Sequence, residues 1–134
     1  MAYFDDLVPD YTKEVPPASA VSMETMRRLM YMFKLAMNGH MVALSDENAS
    51  VVALSPEFVS NFGWTLEEFQ ALEASDFFHA DSLPIATVHK THHLAAPYIA
   101  RCYKKNGSLS YYQVQGLCVE FDNEHWRMLS FVKI

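Results

Sequence analysis

Apolar positions Met26, Leu29, Met30, Phe33, Ala36 and Met37 recur at the i, i+3, i+4, i+7 spacing of one helix face. Glu24, Arg27, Arg28 and Lys34 stay largely off that stripe. Ser22 stands before it as an N-cap, and Asn38-Gly39 follows as a stop. The pattern predicts an amphipathic helix over 22–37. Before it, 1–21 carries Asp5, Asp6, Asp10, Pro9, Pro16 and Pro17 without sustained period, and reads as a flexible arm. After it, Met41 to Leu44 and Val51 to Leu54 are short apolar runs separated by Asp46-Glu47-Asn48, which predicts a hairpin.

Helical signals then return. Ser55-Pro56 opens a short helix holding Phe58, Val59 and Phe62, and Gly63 closes it. Thr65 caps the next, with Glu67 and Glu68 in its first turn and Leu66, Phe69 and Leu72 facing inward. Asp76 to Asp81 reads as a loop, and 82–94 as a further helix that tolerates Pro84 only in its first turn. Three strands complete the chain: Tyr98 to Lys104, Leu109 to Phe121 and Trp126 to Ile134. Asn106-Gly107 joins the first two as a type I′ turn, and Asp122-Asn123-Glu124 joins the second and third. The last strand has Trp126, Met128, Ser130 and Val132 on one face, and Arg127, Leu129, Phe131 and Lys133 on the other. Apolar residues on both faces mark it as central. Apolar sequence running to the final residue suggests further chain beyond it.

Composition narrows the function. The 134 residues hold four glycines, at 39, 63, 107 and 116, too scattered for a dinucleotide or P-loop phosphate cradle. Gly116 falls inside a predicted strand, where glycine marks a bulge or the close approach of another group. Ten Lys and Arg against sixteen Asp and Glu give a net charge of −6, with no basic run longer than two residues, which argues against direct nucleic-acid binding. Cys102 and Cys118 lie in apolar strands without a CxxC pair, as buried reduced thiols would. No leader-like opening and no run of eighteen apolar residues occurs, so a cytoplasmic protein that does not enter the membrane is expected.

The element order and four local motifs coincide with one family. Val51 to Phe58, Phe62-Gly63-Trp64-Thr65-Leu66-Glu67-Glu68-Phe69, Phe78-His79-Ala80-Asp81 and Tyr103-Lys104-Lys105-Asn106-Gly107-Ser108 resemble, in order and spacing, the motifs of PAS domains. Trp64, Ala80 and Asn106 depart mildly from the usual residues, and the match spans about 37–134. The resemblance implies an α+β fold: a five-stranded antiparallel sheet with short helices on one face, preceded by the amphipathic helix. Three segments follow: the arm 1–21, the helix 22–37 and the domain 38–134. Several motif residues have structural reasons of their own. Thr65 and Glu68 form a capping box, and Gly63 suits a left-handed helix stop.

The resemblance also implies a regulatory sensory and interaction module of a larger signalling or transcription-regulating protein, not an enzyme. In such a module a signal on the helix-covered face passes to the outer sheet face and the amino-terminal helix, altering dimer packing or an output domain. The helix stripe Met26, Leu29, Met30 and Phe33 is then either cover for the domain's own core or a homodimer interface. Candidate cavity residues are Phe58, Phe62, Trp64, Phe69, Phe78, His89, His92, Tyr98, Tyr112 and Met128, and with a short helical segment this bulk is expected to fill the cavity more than to line it. Tyr112, Gln113 and Gln115 offer polar handles. No metal site is expected, unless haem is bound through His92 or His89, the family position for an iron-ligating histidine. His89 and His93 would share a face of the 82–94 helix. Flavin is the other cofactor the family offers; the stretch Leu66 to Phe77 lacks the cysteine of its light-sensing members, which disfavours covalent photochemistry. Glu67, Glu68 and Asp81 read as first-turn and cap residues, and no catalytic constellation appears. Two other readings stand beside this one: a ligand-free protein-interaction domain, and a small α+β cleft enzyme of isomerase-like fold.

Overall fold

The computed structural model describes residues 38–134 apart from Asp122, together with Met30, Tyr31, Lys34 and Leu35. The arm, Ser22, Met26, Leu29 and Phe33 lie outside the described residues. The four earlier residues are helical. Their helix ends as Asn38-Gly39 requires: Gly39 takes φ +78°, and the His40 N–H donates to Leu35 O at 3.1 Å, closing a Schellman-type turn.

The strands are β1 (Met41–Ser45), β2 (Val51–Leu54), β3 (Tyr98–Tyr103), β4 (Leu109–Phe121) and β5 (Glu124–Lys133). They form one antiparallel sheet in the order β2-β1-β5-β4-β3, with β5 central as its two apolar faces demand. Between β2 and β3 come four helices: α1 (Pro56–Phe62), α2 (Leu66–Gln70), α3 (Ala74–Phe77) and α4 (Leu83–Thr91). Ser55 caps α1 with Pro56 inside its first turn, and Gly63 closes it at φ +92°. Thr65 and Glu68 make the complete capping box of α2.

Four local expectations need correction. The stretch read as a loop from Asp76 starts inside a one-turn helix, α3, opened by a reciprocal pair between Glu73 and Asp76 that no usual N-cap residue announces. The fourth helix stops at Thr91, not at 94, and His93 leaves it in a left-handed conformation, φ +53°. The β3–β4 turn is not type I′: of its residues only Gly107 has positive φ, and the Gly107 N–H donates to Lys104 O at 2.9 Å. That is a type I turn followed by a left-handed glycine, the three-residue hairpin solution. Asp81 is not a cap; Ser82 holds the N-cap position of α4, while Asp81 pairs with Arg101 at 2.7 Å.

Register assigns each strand residue to a face. Leu129 lies opposite Ala43 and Gly116, and Phe131 opposite Met41 and Val114, so these residues face the helices. On that side Phe58, Phe62, Phe77, Tyr112 and Phe131 stack in tilted and edge-on contacts at 4.5–6.3 Å. Met128 lies opposite Leu44 and Leu117 on the other face, where it is buried with Val42 beneath Leu35, Leu44, Leu117 and Trp126. Edge strand β3 is covered: the His79 N–H donates to Arg101 O, and the Arg101 N–H donates to Ser82 Oγ, both at 2.9 Å.

Candidate functional site

A cavity of about 700 Å³ lies between the helix-facing side of the sheet and the α2–α4 segment. Such a volume is in the range of small-molecule sites. Its apolar walls are Ala43 and Leu129 from the sheet, Phe69 and Leu72 around α2, Phe77 and Phe78 at the end of α3, and Leu83 and Ala86 from α4. The cavity opens beside the β1–β2 turn and the loop after α4. Part of the aromatic bulk therefore packs solidly under the helices, as the filling expectation has it, and part lines an open space. The filled half is the Phe58–Phe62–Tyr112 cluster, where Tyr112 is buried and its Oη accepts from Asn61 Nδ2 at 2.9 Å.

Polar side chains share the wall with these apolar ones. Cys118, Arg127, His93 and His125 line it together with Tyr98. The Sγ of Cys118 lies 3.3 Å from His93 Nδ1 and 3.2 Å from Arg127 Nη1. Arg127 lies flat over Gly116: a Cβ at that glycine would stand 2.2 Å from Nη2 and 2.4 Å from Cζ. The group expected to approach the sheet at this glycine is thus the domain's own guanidinium. Burial pushes the Tyr98 phenol up to about 12, an effect that the Arg127 charge partly offsets, so the phenol stays neutral. Burial alone pushes the Cys102 thiol to about 12, making it an inert core residue.

No protein-family model and no curated protein sequence matches the chain. Solved structures do. A light-oxygen-voltage domain studied with a flavin analogue aligns at a TM-score of 0.67 and 14% identity, over 78% of this chain and 84% of that one. The PAS domain of the fruit-fly ELK potassium channel aligns at 0.66 and 12% identity, over 78% and 94%. The PAS domain of an HTR-like protein from Haloarcula marismortui aligns at 0.62 and 15% identity, over 84% and 100%. The chain has the PAS fold. At these identities the likeness speaks for the fold, and what the site can do rests on this chain's own residues.

Of the ten residues singled out from sequence, Phe69, Phe78 and Tyr98 line the cavity. The others do not. Phe58, Phe62 and Trp64 are buried in the filled half, with Tyr112 beside them. Met128 is corrected to the opposite face of the sheet, because the alternation of β5 pairs it with Leu44 and Leu117. His92 is exposed at the end of α4, outside the cavity. His89 is buried against the Tyr98 ring, centroids 4.2 Å apart, with Nδ1 lacking a hydrogen-bond partner. It is absent from the cavity wall, so neither histidine expected as an iron ligand faces that space. The pairing of His89 with His93 on one helix face fails because α4 ends before His93. Gln113 and Gln115 lie on the outer face; Gln113 is exposed and Gln115 donates from Nε2 to Ala95 O at 3.1 Å. They offer a flavin no polar edge inside the cavity. Among the described residues, no group of three or more His, Cys, Asp or Glu is placed to hold a metal ion. No described helix is long and apolar enough to cross a membrane.

Sequence reasoning missed Arg127, Cys118 and His93 as cavity residues. The available signal was Gly116. A mid-strand glycine implies a close neighbour; Leu129 lies across from it, and Arg127, across from Cys118, reaches it diagonally.

Proposed function

We propose that this PAS domain is the non-enzymatic sensory module of a larger signalling or transcription-regulating protein, and that it takes a small molecule into the cavity bounded by Phe69, Phe78 and Tyr98. The observation that carries the reading is the cavity: about 700 Å³, walled by Phe69, Phe78, Leu83 and Leu129 and lined as well by polar groups that include Arg127, Cys118 and His93. A route outward supports it. The inner-face residues Leu129 and Arg127 alternate along β5 with Met128 and Trp126, which pack on the outer face with Leu35 of the amino-terminal helix. A shift of β5 on ligand entry therefore reaches that helix directly. Homodimer packing through the helix and the outer sheet face is the matching output, and Met30, 47% exposed, is available for it.

Native mass spectrometry of the purified protein, with an absorbance spectrum over about 350–450 nm, tests the ligand. A co-purifying mass, coloured or not, supports the reading; bare protein that also binds no member of a small-molecule library removes it. A Met30→Glu, Phe33→Glu double variant tests the dimer: unchanged mass by light scattering would exclude the helix as its interface. The second reading is a ligand-free interaction domain in the cytoplasm, favoured by the exposure of Ile99, Tyr111 and Val132 on the outer face.

A further inference from the structure

We propose that the cavity recognises an organic anion, a carboxylate on an aromatic or aliphatic body, and that Arg127 is its anchor. The inference rests on the ligand-binding reading above and names the ligand's chemistry. A guanidinium on the helix-facing side of a sheet is costly unless its donors are satisfied. Here Nη1 reaches only the Cys118 sulfur, a weak acceptor, at 3.2 Å. Nη2 is buried without any hydrogen-bond partner. Among the described residues no carboxylate stands within ion-pair distance of it.

The acids at the cavity are already engaged elsewhere. Asp46 Oδ1 accepts from the Asn48 and Ser50 N–H groups at 2.9 and 3.0 Å. Glu47 Oε2 accepts from the His125 N–H at 3.4 Å, and Glu73 is held in the capping pair that opens α3. The sequence meanwhile gives the guanidinium its place, because any side chain at position 116 would occupy it. His93, whose Nδ1 lies 3.3 Å from Cys118 Sγ, also lines the cavity near Arg127, while Lys90 lines it from α4. A carboxylate supplies the charge partner that Arg127 lacks here, and Phe69, Phe78 and Leu129 receive its apolar body. The positive charge at the inner end then selects for anions, and the walls select for size.

Matched probes separate charge from shape: phenylbutyrate against phenylbutanol, and indoleacetate against indole-ethanol, titrated into the intact chain by calorimetry with amide chemical shifts as a second readout. We expect each acid to bind at least about tenfold more tightly than its alcohol, the worth of one charge-assisted hydrogen bond. Arg127→Met should abolish that preference while leaving alcohol binding in place, and Arg127→Lys should restore part of it. Gly116→Ala, which evicts the guanidinium without removing its charge, should also lower the preference; it keeps the test open if Arg127→Met unfolds. Lys90→Met should leave most of it. Equal affinity for acid and alcohol, or a preference that follows Lys90, overturns the anion assignment and leaves the cavity reading intact. Binding of neither acid overturns the anion assignment, while the cavity reading falls only with the mass-spectrometric and library tests above.

Discussion

One hydroxyl ties three segments of this domain together. Ser55 Oγ donates to His40 O at 2.8 Å and accepts from the Val42 and Phe58 N–H groups at 2.9 and 3.3 Å. It therefore caps α1, closes the start of β1 and anchors the chain arriving from the amino-terminal helix. Both lone pairs and the proton are used, in a residue that is buried. Ser55→Ala leaves two N–H groups and a carbonyl without partners, and should cost about 2–3 kcal/mol of stability in urea unfolding. A loss under about 0.5 kcal/mol would mean that water replaces the hydroxyl. The Ser-Pro pair was legible as a helix start, since an N-cap acts within its own turn. Its long-range bonds to β1 were not, because nothing in the local sequence specifies which strand passes overhead. Gly116 shows the same division: its lack of a side chain was visible, and the identity of its neighbour required the β4–β5 register.

At the scale of elements, hairpins and helix ends are stapled by charge. Glu68 completes the α2 capping box and also pairs with Lys105 in the β3–β4 turn, which holds its carboxyl below the usual range. Asp81, before α4, is lowered chiefly by its hydrogen bond from Arg101 on β3. Both are depressed carboxylates. Their contribution is present above the unfolded values, near 4.5 and 3.8, and is lost as pH falls through the lower folded ones. Urea midpoints measured from pH 6 down to pH 3 should thus fall less steeply for a Lys105→Met, Arg101→Met variant than for wild type; parallel acid limbs would show that neither pair matters. Both pairs are solvent-exposed, so salt should weaken the difference. The capping box was readable because Thr-x-x-Glu is a short-range pattern. Helix α3 was not, because glutamate is a rare N-cap and the element is one turn long. His93 was misplaced for a related reason: periodicity detects a helix better than it detects the end of one that lacks a glycine stop.

The whole molecule divides into a solid half and an open half, and this is what the pattern of apolar residues could not reveal. Fold class was legible, because order of elements, turn glycines and caps all pointed to one sheet topology. The site was only partly legible, since Phe58, Phe62, Phe69 and Phe78 look alike in sequence. Whether a phenylalanine fills space or walls it depends on how far α2–α4 stand from the sheet. Two substitutions measure the division. Phe62 is fully buried among Phe58, Phe77, Tyr112 and Phe131, so Phe62→Ala should cost about 3–5 kcal/mol. Ala86, on α4, is buried at the cavity wall, where added methylenes meet open space instead of packed atoms. Ala86→Leu keeps helix propensity and should leave stability within about 1 kcal/mol of wild type. It should also weaken phenylbutyrate binding about tenfold or more, by occupying the volume the ligand needs. The contrast is the test. If Ala86→Leu destabilised the domain as much as Phe62→Ala does, the space beneath α4 would be closed in solution, and the domain would have no room for a ligand.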